Sequence, residues 1–198
     1  MNERMKPRLS RLALIAALLL GACSRPAEAP PLQGARIGGP FTLTDQDGRT
    51  VRDTDFAGRY RLIYFGYSFC PDVCPTDLQT IGQALRQFEK DAPGQAARLQ
   101  PIFITVDPAR DTPAVLKSYV SAFHPRLLGL TGTDAQIAAV EKEFAIYAAR
   151  RPTGHGNDYF MDHSRQALLL GPRGEPIALL PQDEGPKALE ASLEQWVK

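Results

Sequence analysis

The chain has 198 residues, of which 43% are hydrophobic, and it carries 23 Lys and Arg against 22 Asp and Glu. This length suits one domain with a sizeable core. The balanced charge and the lack of a basic run exclude nucleic acid as an expected partner.

The first 22 residues predict an export signal. Four basic side chains precede an apolar run over residues 12–20, which is too short to span a bilayer as a helix. The run ends in Leu-Gly-Ala-Cys at Cys23 and resembles the bacterial lipoprotein cleavage box, in which the cysteine becomes the lipidated first residue. An ordinary signal peptide that leaves Cys23 unmodified is the alternative. Lipidation would leave Cys70 and Cys74 as a pair, rather than an odd number of thiols.

Residues 23–40 are rich in Pro, Gly and Ala and have no apolar period, so we expect a flexible tether. Residues 41–198 then form the globular domain. Without residues 1–22 the chain keeps 19 basic and 21 acidic side chains, which is still close to neutral. The predicted location is the periplasmic side of a membrane, with the lipid as anchor.

The globular part alternates apolar strand patterns with helical periodicity, which predicts an α/β fold with a largely parallel sheet. The predicted elements in chain order are a hairpin over 41–44 and 50–52, a buried strand over 60–67, a helix over 75–90, a strand over 101–106, a helix over 114–123, a strand over 127–130, a helix over 134–144, a strand over 147–150, a flexible loop over 152–158, a hairpin over 166–170 and 177–180, and a closing helix over 186–197.

Cys70 and Cys74 are separated by three residues and follow the 60–67 strand, where the chain passes to a helix. Reactive groups of open α/β sheets lie at the carboxyl ends of strands. A helix N-terminus stabilises a thiolate, so the two thiols are suited to electron exchange or to holding a soft metal together. Pro75 disfavours helical dihedrals at Cys74, and we therefore expect both cysteines on a loop that ends at the helix.

Four sequence segments resemble the Sco (SenC) family over nearly the whole globular part. They are Tyr-Phe-Gly-Tyr-Ser-Phe-Cys-Pro-Asp-Val-Cys-Pro at 64–75, Thr-Val-Asp-Pro-Ala-Arg-Asp-Thr-Pro at 105–113, Phe-His-Pro-Arg at 123–126 with Leu-Thr-Gly-Thr at 130–133, and Asp-His-Ser at 162–164. The resemblance implies a thioredoxin-like fold with an N-terminal β-hairpin and a late β-hairpin insertion near the metal site. By position, the copper-binding cysteines of the family correspond to Cys70 and Cys74, and its histidine ligand corresponds to His163.

Members of this family are membrane-anchored copper proteins that serve assembly of the dinuclear copper centre of cytochrome c oxidase. The resemblance therefore implies a copper ion, Cu(I), Cu(II) or both, together with an upstream copper donor and a copper-accepting oxidase subunit. Two thiolates and one imidazole are suited to Cu(I) and leave a position open for a partner's ligand. A closed structural zinc site would require a fourth ligand.

Several other side chains are interpreted less specifically. His155 is a further candidate ligand or an exposed loop residue, and His124 a packing or capping residue. Asp72 and Asp162 are expected to orient the site or to form turns, and Tyr67 and Phe69 to flank it. Asp111 and Thr112 are expected to be helix-start residues with Arg110 as their ion-pair partner. Arg165 is a charge near the site that departs from the family pattern.

The residues and the resemblance together leave three hypotheses about function. The first is a copper metallochaperone with Cys70, Cys74 and His163 as ligands. The second is a thiol–disulfide oxidoreductase that keeps the oxidase cysteines reduced, with Cys70 and Cys74 as its redox couple. The third is a structural disulfide, which is disfavoured because so short a loop constrains little chain entropy. His163 separates the first two, since a dithiol reductase does not require it.

Overall fold

The computed structural model describes residues 28–156 and 158–198. The predicted export signal and the lipidation candidate Cys23 lie outside the described residues. The described chain forms a seven-stranded sheet and a separate two-stranded sheet.

The helices and strands follow the predicted alternation, with a short helix at Pro93–Ala96 and a strand at Tyr159–His163 added. Their bounds are β1 Thr42–Asp45, β2 Thr50–Arg52, β3 Tyr60–Gly66, α1 Val73–Asp91, α2 Pro93–Ala96, β4 Leu99–Thr105, α3 Pro113–Ser121, β5 Leu128–Thr131, α4 Asp134–Glu143, β6 Ala148–Pro152, β7 Tyr159–His163, β8 Ala167–Leu170, β9 Pro176–Leu180 and α5 Pro186–Trp196.

The large sheet has the strand order β2-β1-β5-β4-β3-β8-β9. Its centre is parallel, since β4 runs parallel to both β3 and β5, and antiparallel strands complete both edges. All seven residues of β3 are buried, which is expected of a central strand covered on both faces. The helix α1 packs against α5, while α3 contacts β5. The predicted α/β architecture is confirmed.

The N-terminal hairpin is also confirmed. Thr42 pairs with Arg52 and Thr44 with Thr50 across antiparallel strands. Gly48 lies in the connecting turn with a φ of 81°, a left-handed conformation that glycine adopts without steric cost.

The first helix begins earlier than predicted. It begins at Val73, so Cys74 lies inside its first turn rather than on the preceding loop. The prediction relied on Pro75, but the first N–H groups of a helix have no intrahelical acceptor. A proline in the first turn therefore loses no hydrogen bond, and the preference of the preceding residue for extended dihedrals is overridden.

The strand β7 was not predicted. It pairs with β6 as an antiparallel hairpin, with Ala148 opposite His163 and Pro152 opposite Tyr159. We call β6, β7 and their connection the side hairpin, because this pair forms its own sheet outside the seven-stranded one. Most of its residues are exposed or half-buried, so its apolar residues do not show the alternation that identifies a strand facing a core.

The chain packs against the body ahead of residue 41. The Leu32 N–H donates to the Ile177 carbonyl at 2.9 Å, and the Gly38 N–H donates to the Glu143 carbonyl at 2.8 Å. Glu28 lies at a groove that Tyr60 and Trp196 also line. The segment predicted as a tether is thus in contact with the domain over its second half. Within the described ranges, none of the helices combines the length and apolarity that crossing a bilayer requires.

Candidate metal centre

The two cysteines lie where β3 gives way to α1. Cys70 is half-buried and Cys74 is fully buried, and both are free thiols. The Cys74 N–H donates to the Cys70 sulfur at 3.4 Å. The helix start therefore directs one of its free N–H groups at a thiol, an arrangement that favours the thiolate.

His163 is the last residue of β7, and its ring reaches the cysteines from the side hairpin. Its Nε2 lies 3.4 Å from the Cys74 sulfur, although 89 residues separate the two in sequence. A metal bonded at about 2.3 Å to sulfur and about 2.0 Å to nitrogen, as in zinc sites, holds these atoms about 3.5–3.7 Å apart at tetrahedral or trigonal angles. The observed separation is close to this range.

The other ring nitrogen of His163 is already bonded. Nδ1 lies 2.8 Å from the Ser164 carbonyl oxygen, and because a carbonyl only accepts, Nδ1 carries a proton. Nε2 is left facing the sulfur of Cys74, where it can exchange a proton with a thiol or bind a metal ion. An outer hydrogen bond of this kind fixes the tautomer and the ring orientation of metal-ligating histidines.

The two thiols differ in acidity. The hydrogen bond from the Cys74 thiol lowers the pKa of Cys70 to about 3, with further contributions from His163 and from the Asp72 and Cys74 N–H groups. The same interaction with Cys70, together with burial, raises the pKa of Cys74. These interactions favour ionisation of Cys70 over ionisation of Cys74.

In the part of the chain that the structure describes, no three His, Cys, Asp or Glu side chains already have the geometry of a metal cage. Cys70, Cys74 and His163 converge nevertheless, and two sulfurs with one imidazole nitrogen are a donor set that soft metals prefer.

The aromatic neighbours of the site differ in exposure. Tyr67 is buried and meets the His163 ring edge to face, with ring centres 5.8 Å apart. Phe69 is 52% exposed beside Cys70. Of the two residues predicted to flank the site, Tyr67 contacts the imidazole and Phe69 is exposed to solvent.

A buried carboxylate supports the loop that carries Cys70. Asp111 accepts a hydrogen bond from the Ser68 N–H at 3.1 Å, one from the Ser68 hydroxyl, and one from the Thr105 hydroxyl at 2.6 Å. The prediction of Asp111 as a helix-start residue was wrong, whereas Thr112 does cap α3 by accepting from the Val115 N–H.

Arg110 also differs from the prediction. Its ion-pair partner is Asp107 rather than Asp111 or Thr112. Its guanidinium lies 3.8 Å from the ring centre of Tyr159 and donates to the Tyr159 carbonyl at 3.0 Å. The Tyr159 hydroxyl in turn donates to Asp107 at 2.8 Å. Arg110 therefore attaches the first residue of β7 to the loop after β4.

The predicted carboxylate neighbours do not contact the imidazole. Asp162 pairs with Arg151 at 3.0 Å, on the exposed surface of the side hairpin. Asp72 precedes α1 without a capping side-chain bond. The partner of the His163 N–H is the Ser164 carbonyl, which no sequence pattern identifies because every residue has one.

The other two histidines lie away from this cluster. His155 is exposed on the loop between β6 and β7. His124 is buried, and its Nδ1 accepts from the Arg126 N–H at 3.2 Å, which confirms the predicted packing role.

Arg165 lies two residues after His163, and its charge is paired. Its guanidinium contacts both carboxylate oxygens of Asp77, at 2.7 and 3.2 Å. Sequence reasoning placed this charge near the site but missed its partner, because 88 residues separate the two.

Comparison with known proteins agrees with this architecture. The SCO1/SenC family model matches residues 29–198. The bovine mitochondrial SCO2 homolog is 46% identical over 144 residues, covering 72% of this chain and 53% of its own. A SCO2-like protein of Rickettsia felis is 34% identical and covers 94% of this chain and 96% of its own. The chain thus spans about half the length of the mitochondrial relative and nearly all of the bacterial one.

Among solved structures, Bradyrhizobium japonicum ScoI with copper bound superposes with a TM-score of 0.74 at 44% identity, covering 81% of this chain and 99% of that one. The fold is thioredoxin-like, as predicted. On the family match and these relatives, the chain belongs to the SCO1/SenC family.

Proposed function

We propose that this protein is a copper metallochaperone of the exported compartment. It receives copper from an upstream donor and delivers it to the dinuclear copper site of a cytochrome c oxidase subunit. Copper is its cargo, and Cys70, Cys74 and His163 are the ligands. Membership of a family that includes a copper-bound relative at 44% identity supports this proposal.

The observation that carries the proposal is the approach of the His163 Nε2 to the Cys74 sulfur at 3.4 Å, with Nδ1 bonded to a carbonyl. Two sulfurs and one nitrogen satisfy Cu(I) with three ligands. Cys70 is half-buried and its neighbour Phe69 is exposed, so a partner's thiolate can approach the metal and replace the ligands one at a time.

The test measures Cu(I) affinity of the reduced protein by competition with a chromophoric chelator. His163→Ala removes one of the three proposed ligands, and we expect the Cu(I) affinity to fall at least about tenfold. Loss of a residue that only hydrogen-bonds to a metal ligand already costs about that much. His155→Ala is the matched control, because it removes an exposed imidazole from the same hairpin. Equal affinity of the wild type and His163→Ala would refute the ligand assignment.

A second function, thiol–disulfide exchange with the target subunit, is favoured by the low pKa of Cys70, about 3. The Cys70 thiolate attacks one sulfur of a target disulfide and releases the other as a thiolate, which leaves a mixed disulfide. Cys74, once deprotonated, attacks the Cys70 sulfur and releases the second target thiol. Two electrons pass to the target, and this protein is left with the Cys70–Cys74 disulfide.

This second function is tested with a peptide that contains one internal disulfide. Cys74→Ser lacks the resolving thiol, so it should accumulate a mixed disulfide with the peptide. Cys70→Ser should accumulate almost none, since the remaining thiol is fully buried and burial disfavours its thiolate. Equal trapping by both variants would contradict the assigned order of attack.

The location belongs to the same proposal. Cleavage before Cys23 and its lipidation would anchor the domain to a membrane on the periplasmic side. Expression with labelled palmitate should label the wild type, while Cys23→Ser should remain unlabelled. Label retained by Cys23→Ser would refute the anchor.

A further inference from the structure

The contact between Arg165 and Asp77 joins the two parts of the candidate site. Arg165 follows His163 by two residues, and Asp77 follows Cys74 by three in the first turns of α1. Two hydrogen bonds of 2.7 and 3.2 Å connect the guanidinium to the carboxylate. The segment that carries the imidazole is thus connected directly to the helix that carries the buried sulfur.

Asp77 is held from a second direction. It is 1% exposed, and its Oδ2 accepts a hydrogen bond from the Tyr64 hydroxyl at 2.8 Å. Tyr64 belongs to the central strand β3 and is itself fully buried. A buried carboxylate is costly unless it is paired and hydrogen-bonded. The Asp77 carboxylate is therefore held in place by Tyr64 and stabilised by its contact with Arg165.

The backbone of Arg165 is also fixed. Its carbonyl accepts a hydrogen bond of 2.7 Å from the side chain of Gln182, which is buried. Arg165 therefore connects at both its backbone and its guanidinium to groups of the body. By contrast, the Arg151–Asp162 pair on the side hairpin joins side chains that are 58% and 50% exposed, and pairs of that kind contribute little.

We propose that the Arg165–Asp77 pair is a positioning latch that holds His163 within bonding distance of Cys74 and thereby sets how tightly the site retains Cu(I). This inference rests on the proposed copper function. Because Asp77 neutralises the charge of Arg165, the latch acts through the position of the imidazole and not through the field at the metal.

The decisive experiment is a double-mutant cycle of Cu(I) affinity on the reduced full chain, by chelator competition. Arg165→Gln should weaken binding by about tenfold, the lower end of the range for residues that orient a metal ligand. In the His163→Ala background the same substitution should have no further effect. Arg151→Gln, the matched control, should change the affinity less than about twofold.

Arg165→Lys distinguishes the contribution of the two guanidinium hydrogen bonds from that of the positive charge. Lysine keeps the positive charge but cannot bond both carboxylate oxygens, so its affinity should lie between those of the wild type and Arg165→Gln. A Cu(I) affinity of Arg165→Gln equal to that of the wild type would overturn the latch. An equal loss with and without His163 would also overturn it, since the effect would then not pass through the imidazole.

A metal-free measurement supplies an independent readout. The Ser164 N–H donates to the Tyr147 carbonyl at 2.9 Å, and the Tyr147 N–H donates to the Ser164 hydroxyl at 3.0 Å. Hydrogen exchange at these two amides should accelerate in Arg165→Gln while the amides of β3 remain protected. Unchanged exchange would overturn the latch. If His163→Ala alone leaves copper affinity unchanged, the proposed copper function fails, and the exchange data still decide whether the pair holds the hairpin.

Discussion

The thiols and the imidazole of the candidate centre come from two unlike regions of the molecule. Cys70 and Cys74 follow β3, whose seven residues are all buried between parallel and antiparallel neighbours. His163 ends a hairpin that forms its own sheet and is mostly exposed or half-buried. The seven-stranded body is held by its core, whereas the side hairpin depends on a small number of polar and aromatic contacts.

This difference bears on the proposed delivery of copper, in which the bound metal must be released. The sulfurs lie next to a buried strand, while the proposed third ligand lies on a mostly exposed element, of the kind that opens at a lower free energy than a core strand. Four predictions test the comparison, beginning with the largest expected effect.

Leu62→Ala, in the middle of β3, should lower the free energy of unfolding by about 3–4 kcal/mol, because the removed atoms are fully buried and leave a cavity. Met161→Ala, on β7, should cost about 1 kcal/mol, since Met161 is only partly buried against the core. Urea unfolding at pH 7 measures both. Equal costs would show that the hairpin is as much a part of the core as β3.

Asp111→Ala should lower the free energy of unfolding by about 2–3 kcal/mol, because the Ser68 N–H and the Ser68 and Thr105 hydroxyls lose their acceptor. Thr112→Ala is the neighbouring control and should cost about 1 kcal/mol, the usual value for an N-cap. Thermal or urea unfolding distinguishes them. A smaller effect at Asp111 than at Thr112 would contradict its supporting role.

Glu141 lies between the two regions, at a cleft that Ala148 and Met161 of the side hairpin also line. Burial raises its pKa from 4.5 to about 7. As the pH rises through this window the unfolded chain gives up a proton that the folded chain retains, so stability falls. Glu141→Gln should remove that decline and stabilise the protein at pH 8 by about 1–2 kcal/mol, after allowance for partial hydration.

The measurement for Glu141→Gln is urea unfolding at pH 4.5, 6 and 8. The substituted protein should gain most at pH 8 and least at pH 4.5. A constant difference across the three pH values would show that Glu141 ionises normally in the folded protein.

The smallest effect is expected from Arg151→Gln. Its ion pair with Asp162 is exposed on both sides, so the free energy of unfolding should change by less than about 0.5 kcal/mol. Adding 0.5 M salt should make the wild type and the variant indistinguishable. A loss greater than about 1 kcal/mol would mean that this surface pair holds the hairpin, against the assignment of that task to Arg165.

The predictability of the structure follows the same division. The strands and helices of the seven-stranded body could be predicted from the sequence, because β3 and β4 are continuous apolar runs and α1 repeats apolar residues at helical spacing. Of the side hairpin, the sequence predicted a strand over 147–150 that overlaps β6, but it did not predict β7, because a half-exposed strand lacks a contrast between its two faces. The start of α1 was misplaced because one local rule, at Pro75, was given too much weight.

The site divides similarly. The spacing of Cys70 and Cys74 marked them as reactive from the residues alone. The resemblance to a family pointed to His163, since nothing in its local pattern distinguishes a ligand from a packed histidine. The partner of Arg165 could not be predicted, because Asp77 is 88 residues away in sequence. Any other Asp or Glu of the chain was an equal candidate.

The groove at Glu28 indicates at which end of the domain the N-terminal segment lies. Tyr60, which begins β3, lines that groove, while Cys70 comes after the strand has ended. A strand of seven residues rises by about 20 Å. The groove and the thiols therefore lie at opposite ends of β3. Under the lipidation proposed above, the domain would be attached through the end opposite the thiols, and the thiols would stay accessible to a partner's soluble domain.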